Sequence, residues 1–130
     1  MPASQFRSEH PSGAIRLVDE THHIVAVCLE GDLDRTNAAA LDAAIDRALQ
    51  SGNHLILDMS EASFIDSSVI QSVVRAAQSS RGTHQAIVLQ LGTAALIERV
   101  LEIVKIEEVL PRAHDRQEAL RVIQREPASA

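Results

Sequence analysis

Two apolar runs near the start of the chain, Ile15–Val18 and Ile24–Glu30, have the length and β-branched content of strands. The polar stretch Asp19-Glu20-Thr21-His22 separates them and predicts an antiparallel hairpin. Every position from Ile24 to Leu29 is apolar, as in a strand covered on both faces. Gly31-Asp32-Leu33-Asp34 breaks that run, and Thr36 is the expected N-cap of a helix over 37–50. Leu41, Ile45, Ala48 and Leu49 share one face of that helix, and Asp42, Asp46 and Arg47 fall off it. Leu55-Ile56-Leu57 predicts a short strand, and residues 58–66 a loop held by Phe64 and Ile65 as buried anchors. Asp66 or Ser67 can cap a second helix, whose stripe is Val69, Ile70, Val73, Val74 and Ala77. Ala86–Leu91 predicts a strand, and Thr93 caps a third helix with Leu96, Ile97, Val100, Leu101 and Val104 facing in. Val109-Leu110-Pro111 reads as an edge piece, because proline suits an edge. Asp115-Arg116-Gln117-Glu118 is a capping box opening a last helix, with Ala119, Leu120 and Ile123 inward.

Strands alternating with helices argue for parallel pairing through right-handed crossovers. The predicted fold class is therefore α/β. It is a single domain with a mixed four- to five-stranded sheet, an N-terminal antiparallel hairpin and about four helices packed on it. The predicted boundaries are a flexible tail over 1–13, a domain over 14–125 and a flexible end over 126–130.

Composition narrows the chemistry. The chain has 130 residues, enough to bury a core without disulfides or metals. Phe6 and Phe64 are its only aromatics beyond histidine, so stacking platforms for single-stranded nucleic acid are missing. The net charge of −6 opposes binding to a phosphate backbone. Between Asp19 and Asp66 ten acidic residues face two basic ones, Arg35 and Arg47, which concentrates the excess in the middle of the chain. The single cysteine, Cys28, reads as a small core hydrophobe in a reducing cytoplasm. No apolar run has the length of a membrane span, and the N-terminus lacks the apolar segment of a secretory signal. His10, His22, His23, His54, His84 and His114 make no metal-ligand pattern, and no glycine-rich phosphate loop or GxSxG turn occurs. No enzyme, no cofactor and no metal are expected.

The informative stretch is Leu55–Ser68, where an apolar strand leads to Asp66-Ser67-Ser68 at a helix start. Asp and Ser are preferred N-caps, so the tripeptide alone needs no function. A hydroxyl exposed there would carry a phosphate beside free backbone N–H groups and the positive end of the helix dipole. That charge would fall on an already acidic surface, close to Asp34 if the two strand ends are neighbours.

With these pieces in order, the sequence resembles the STAS domain over roughly residues 14–125. This is the family of bacterial anti-sigma factor antagonists and of the cytoplasmic domains of sulfate transporters. Gly31-Asp32-Leu33-Asp34 resembles the family's Gly-Glu-Ile/Leu-Asp, and Leu55–Ser68 its strand followed by Phe-hydrophobic-Asp-Ser-Ser/Thr. Leu89 to Leu110 resembles its later strand, helix and edge segment. The resemblance implies a phosphorylation-controlled protein switch with no direct membrane insertion. The unphosphorylated form binds an anti-sigma factor of the serine-kinase type and frees a sigma factor, and a PPM-type phosphatase reverses the kinase. It puts the phosphate on Ser67, with Ser68 the alternative, and makes Asp34 the loop acid nearby. The implied contact surface is Asp32, Asp34, Arg35, Thr36, Asp66, Ser67, Ser68, Gln71 and Arg75. Two departures stand out. The family usually has Gly after Asp-Ser-Ser/Thr, where this chain has Val69, expected to fill the space a kinase would use. Val104-Lys105-Ile106 also lacks a common Gly. The alternative reading is a non-switching scaffold or accessory subunit of a stressosome-like assembly or a lipid-transport ATPase.

Overall fold

In the computed structural model, residues 7–9, 13–20, 22–93, 97, 99, 101–102, 105 and 110–125 are described. The elements run β1 (Arg7–Glu9), β2 (Gly13–Asp19), β3 (Ile24–Leu33), α1 (Arg35–Gln50), β4 (His54–Ile65), α2 (Ser67–Ser80), β5 (Ile87–Gln90), β6 (Arg112–Ala113) and α3 (Arg116–Arg125). They form one mixed sheet in the order β1-β2-β3-β4-β5-β6. β1, β2 and β3 pair antiparallel, and β3 to β6 pair parallel. The α/β class and the N-terminal hairpin are as expected.

The sheet has six strands rather than four or five. The additional edge strand is Arg7–Glu9, three polar residues paired to Ala14–Arg16, inside the stretch expected as a tail. Among the described residues there are three α-helices, and helical backbone recurs at Ile97, Arg99, Leu101 and Glu102, where Ile97 and Leu101 are buried. Leu96, Val100, Val104 and Val109, also assigned from sequence, lie outside the described residues. The short edge strand falls at Arg112–Ala113, where Leu91 N–H can reach the Ala113 carbonyl, and not at Leu110-Pro111. In the hairpin turn His22 and His23 both take positive φ, 60° and 61°.

The largest difference concerns Gly31–Asp34 and residues 58–66, expected as a break and a loop. Both are strand: β3 runs through Leu33 and β4 through Ile65. The register advances from Cys28↔Asp58 to Glu30↔Glu61, and from Gly31↔Ala62 to Asp32↔Phe64. Each shift inserts one extra residue in β4, a β-bulge that flips the faces of the residues after it. The Asp58 carboxylate shapes the first bulge, accepting the Ser60 N–H at 2.9 Å and its hydroxyl at 2.6 Å. On β3, Gly31 takes φ 78°, and Gly13 lies opposite it, where a Cβ would stand 2.5 Å from the Asp32 carbonyl oxygen. The close approach there requires glycine.

The apolar core divides between the two sheet faces. α1 and α2 cover Leu17, Val27, Leu29, Leu57, Met59 and Leu89. α3 covers Ile24, Ala26, Cys28, Ile56 and Val88 on the other face. Within that second layer Cys28, Asp58 and Gln90 stand in register on neighbouring strands. Arg116, at the start of α3, donates to Asp58 (2.6 Å), Gln90 (2.7 Å) and Glu20 (2.6 Å), and meets the Cys28 sulfur at 3.5 Å. Burial works against its charge, but the bond it donates to Asp58 and the nearby Cys28 and Asp58 prevail and hold Arg116 firmly protonated. Burial, then the nearby Asp58 charge, pushes the Cys28 thiol above its ordinary value, so it is a thiol and not a thiolate nucleophile.

Two outcomes are expected. Arg116→Ala leaves the 11%-exposed Asp58 side chain without its countercharge. It lowers the unfolding free energy by about 2–3 kcal/mol in urea titration, below the full cost of breaking a buried pair because the Arg116 side chain is itself partly exposed. Adding Asp58→Asn recovers part of the loss, since a neutral amide is cheaper to bury. The second outcome concerns His54, whose Nδ1 accepts the Ala86 N–H at 3.0 Å and can do so only while unprotonated. Burial, reinforced by His23, holds its pKa below the ordinary imidazole value. The stability it contributes is complete above about pH 6.5 and is lost as pH falls through the lowered value. The thermal midpoint should drop from about pH 7.5 to about pH 5, and His54→Gln should flatten that slope.

Candidate functional site

β3 and β4 end together, Leu33 opposite Ile65. One residue later each strand gives way to a helix, capped by Asp34 and Asp66 respectively. The two helix starts therefore sit side by side. The Asp66 N–H donates to the Leu33 carbonyl at 3.2 Å, tying the second start to the first strand.

At α1 the N-cap is Asp34 and not Thr36. The Asp34 carboxylate accepts the Thr36 N–H at 2.9 Å and the Thr36 hydroxyl at 2.5 Å, and a carboxylate outcompetes a hydroxyl as acceptor. Asn37 answers by accepting the Asp34 N–H at 2.8 Å, a reciprocal cap. Asn37 is fully buried, and its amide nitrogen has no hydrogen-bond partner among the described residues.

At α2 the Asp66 carboxylate accepts the Ser68 N–H at 2.9 Å, the Ser68 hydroxyl at 2.5 Å and the Val69 N–H at 3.3 Å. The Ser68 hydroxyl first, and then these backbone N–H groups, hold the Asp66 carboxyl below its usual range, against burial and the nearby Asp34 charge. The arrangement separates the two serines. The Ser68 hydroxyl is half-buried and engaged, whereas Ser67 is exposed and its hydroxyl has no hydrogen-bond partner among the described residues. It also corrects the electrostatics expected of a phosphate here. The N–H groups of Ser68 and Val69 are already occupied by Asp66, so a phosphate on Ser67 would meet the charges of Asp66 and Asp34 without those donors. Val69 is fully buried among the core residues under α2, and its side chain leaves the Ser67 surface open.

The remaining sequence-assigned residues distribute around this rim. Asp32 is exposed at the end of β3, and Arg35 and Thr36 are exposed on the first turn of α1. Gln71 and Arg75 are exposed one and two turns along α2 from Ser67. Arg75 reaches across to Asp42 of α1 at 2.8 Å, spanning a groove of about 260 Å³ lined also by Asp46, Ser72 and Ser79. In the sequence Asp42 is no more than an off-face residue of α1. Phe64, expected as a buried anchor, is 48% exposed. The bulge at Ser63 turns it out and turns Ile65 in. Nothing in the local sequence marks the bulge, because a regular strand through Ala62 would place Phe64 on the core face.

A family model described as the STAS domain matches residues 16–119. Among solved structures the chain is similar to an anti-sigma factor antagonist from Mycobacterium paratuberculosis, at 20% identity and a TM-score of 0.74, over 90% of this chain and 99% of that one. It is similar to the anti-sigma factor antagonist SpoIIAA in its unphosphorylated form, at 19% identity and a TM-score of 0.64, over 86% of this chain and 99% of that one. The Bacillus cell fate determinant SpoIIAA in the phosphorylated form aligns at 21% identity and a TM-score of 0.66, over 84% of this chain and 98% of that one. At these identities the likeness is one of fold. A comparison with curated proteins finds no match.

Asp66→Ala removes the acceptor shared by two backbone N–H groups and the Ser68 hydroxyl. It is expected to cost about 1 kcal/mol in urea titration. Hydrogen exchange at the Ser68 and Val69 amides should quicken, while exchange across β5 stays unchanged.

Proposed function

Since the chain belongs to the STAS domain family, we propose that it works as an anti-sigma factor antagonist switched by phosphorylation at Ser67. In its unphosphorylated form it binds an anti-sigma factor of the serine-kinase type in the cytoplasm and so frees a sigma factor. The kinase ends the complex by modifying Ser67, and a PPM-type phosphatase restores it. The protein itself performs no catalysis: it is the substrate of both enzymes and the ligand of one. The observation that carries this reading is the contrast between the two serines, an open hydroxyl on Ser67 beside an engaged one on Ser68. Support comes also from the folds it resembles, an antagonist known in both unphosphorylated and phosphorylated forms.

The switch is electrostatic. A phosphoserine adds about −1.5 to −2 charges. At Ser67 this falls beside Asp66 and Asp34, whose carboxylates already occupy the helix-start donors nearby. The added charge joins two carboxylates, and at a desolvated contact it costs a few kcal/mol, about 100-fold in affinity or more. The contact surface is the rim of Asp32, Asp34, Arg35, Thr36, Asp66, Ser67 and Ser68 with Gln71 and Arg75 along α2. The scaffold reading draws on Val69 as an obstacle to a kinase, and the burial of that side chain speaks against it.

Ser67→Asp is expected to weaken binding of the purified anti-sigma factor by about 100-fold, and Ser67→Ala to preserve it. Equal binding by both variants in calorimetry would refuse the switch. Phosphopeptide mass spectrometry on protein from its own cells in two growth states should find phosphate at Ser67 varying with state. Phosphate at Ser68 alone would move the switch by one residue.

A further inference from the structure

Beyond the bulge at Ser63, the far end of β4 carries an aromatic ring on the sheet face opposite α1 and α2. Phe64 pairs with Asp32, Ile65 pairs with Leu33, and Ile65 and Leu33 are both in the α1–α2 core. Phe64 and Asp32 therefore project to the other side. α3 covers that face only lower down, over Ile24, Ala26, Cys28, Ile56 and Val88. Phe64 is 48% exposed, the exposed large hydrophobic residue among those described, in a chain with only two phenylalanines and no Trp or Tyr. Its surroundings are acidic. Asp32 is directly opposite, and Glu30 and Glu61 form the preceding pair on the same face, with Arg16 at 3.5 Å from Glu30.

We propose that Phe64 is the apolar anchor of a second part of the partner-binding surface, and that the segment docking on it is basic, with Arg or Lys flanking an apolar side chain. This rests on the antagonist reading and names the chemistry of that partner. Charge complementarity selects the occupant: Asp32 and Glu61 beside the ring attract cations, and an Arg or Lys over its face gains a further attraction to the π-system. A second copy of this chain would bring acidic carboxylates against acidic carboxylates. The ring is also pre-organised. Register on both sides of it is fixed by pairing to β3, so little backbone freedom is lost when it is covered. Aromatic side chains held in this way and ringed by polar groups are the usual hot spots of an interface. Because Ser67 stands three residues away at the same rim, one partner can straddle both, with Ser67 switching the complex and Phe64 holding it.

The test uses the full chain and the purified serine-kinase-type anti-sigma factors of its source organism, assayed singly by calorimetry at two salt concentrations. Phe64→Ala is expected to weaken the complex by about tenfold or more at unchanged thermal midpoint, the residue being exposed. Asp32→Asn with Glu61→Gln should flatten the salt dependence. A fluorophenylalanine-labelled chain gives two fluorine signals, and the one lost in Phe64→Leu should shift on adding the partner. Equal affinity of the wild type and Phe64→Ala, with no fluorine shift, overturns the anchor and leaves the antagonist reading standing. A wild type that binds none of these factors overturns that reading and the anchor with it. Self-association abolished by Phe64→Ala, with partner affinity untouched, overturns it in favour of a second copy.

Discussion

A parallel pair of strands cannot be joined by a hairpin: the chain must leave the end of one and travel back to the beginning of the next. Here that return is made by α1 between β3 and β4, and by α2 between β4 and β5. Both helices pack on the same sheet face, and both start at the same rim. β3 and β4 stay paired to their last residues, so the starts are held at adjacent positions with no long loop to blur them. The two bulges in β4 make this possible. They spend two residues without lengthening the paired ladder, and they bring Ile65 back to the core face just before the chain turns.

Setting two helix N-termini side by side joins two sets of free N–H groups and two positive dipole ends. The chain answers with a carboxylate at each, Asp34 and Asp66. Each acid satisfies its own helix, and the Asp34 charge disfavours ionisation of Asp66. The rim thus already carries an anion at each helix start. This makes a hydroxyl at the first residue of α2 a sensitive place for added charge, whereas the same modification at an uncapped helix start would be stabilising.

Much of this architecture is legible from pattern alone. Continuous apolar runs at Ile24–Leu29 and Leu55–Leu57 mark the central strands, and the stripe from Val69 to Ala77 marks α2. The Gly-Asp-Leu-Asp and Phe-Ile-Asp-Ser-Ser segments point to the rim. What escapes has identifiable causes. Residues 58–65 lack alternation because bulges break it, so a strand of twelve residues reads as a loop and an exposed ring reads as buried. Thr36 and Asp34 are both good caps by type, and only the accepted bonds distinguish them. β1 is three polar residues at an edge, where pairing to β2 and not side-chain pattern makes the strand. The Arg116 cluster depends on a register that sets Cys28, Asp58 and Gln90 in one row, and no local window contains it.

That cluster has a consequence in time. The guanidinium lies 96 positions after Glu20 and 58 after Asp58. During synthesis at about 5–20 residues per second, the carboxylates of the back face exist for seconds before their countercharge is made. Through that interval Asp58 must keep its water, and Ile56, joined later by Val88, stays uncovered by the helix that will bury both. The nascent chain therefore passes through a stage in which its back face is wet and apolar. In that stage chaperones and proteases can judge it, and the arrival of Arg116 closes the window.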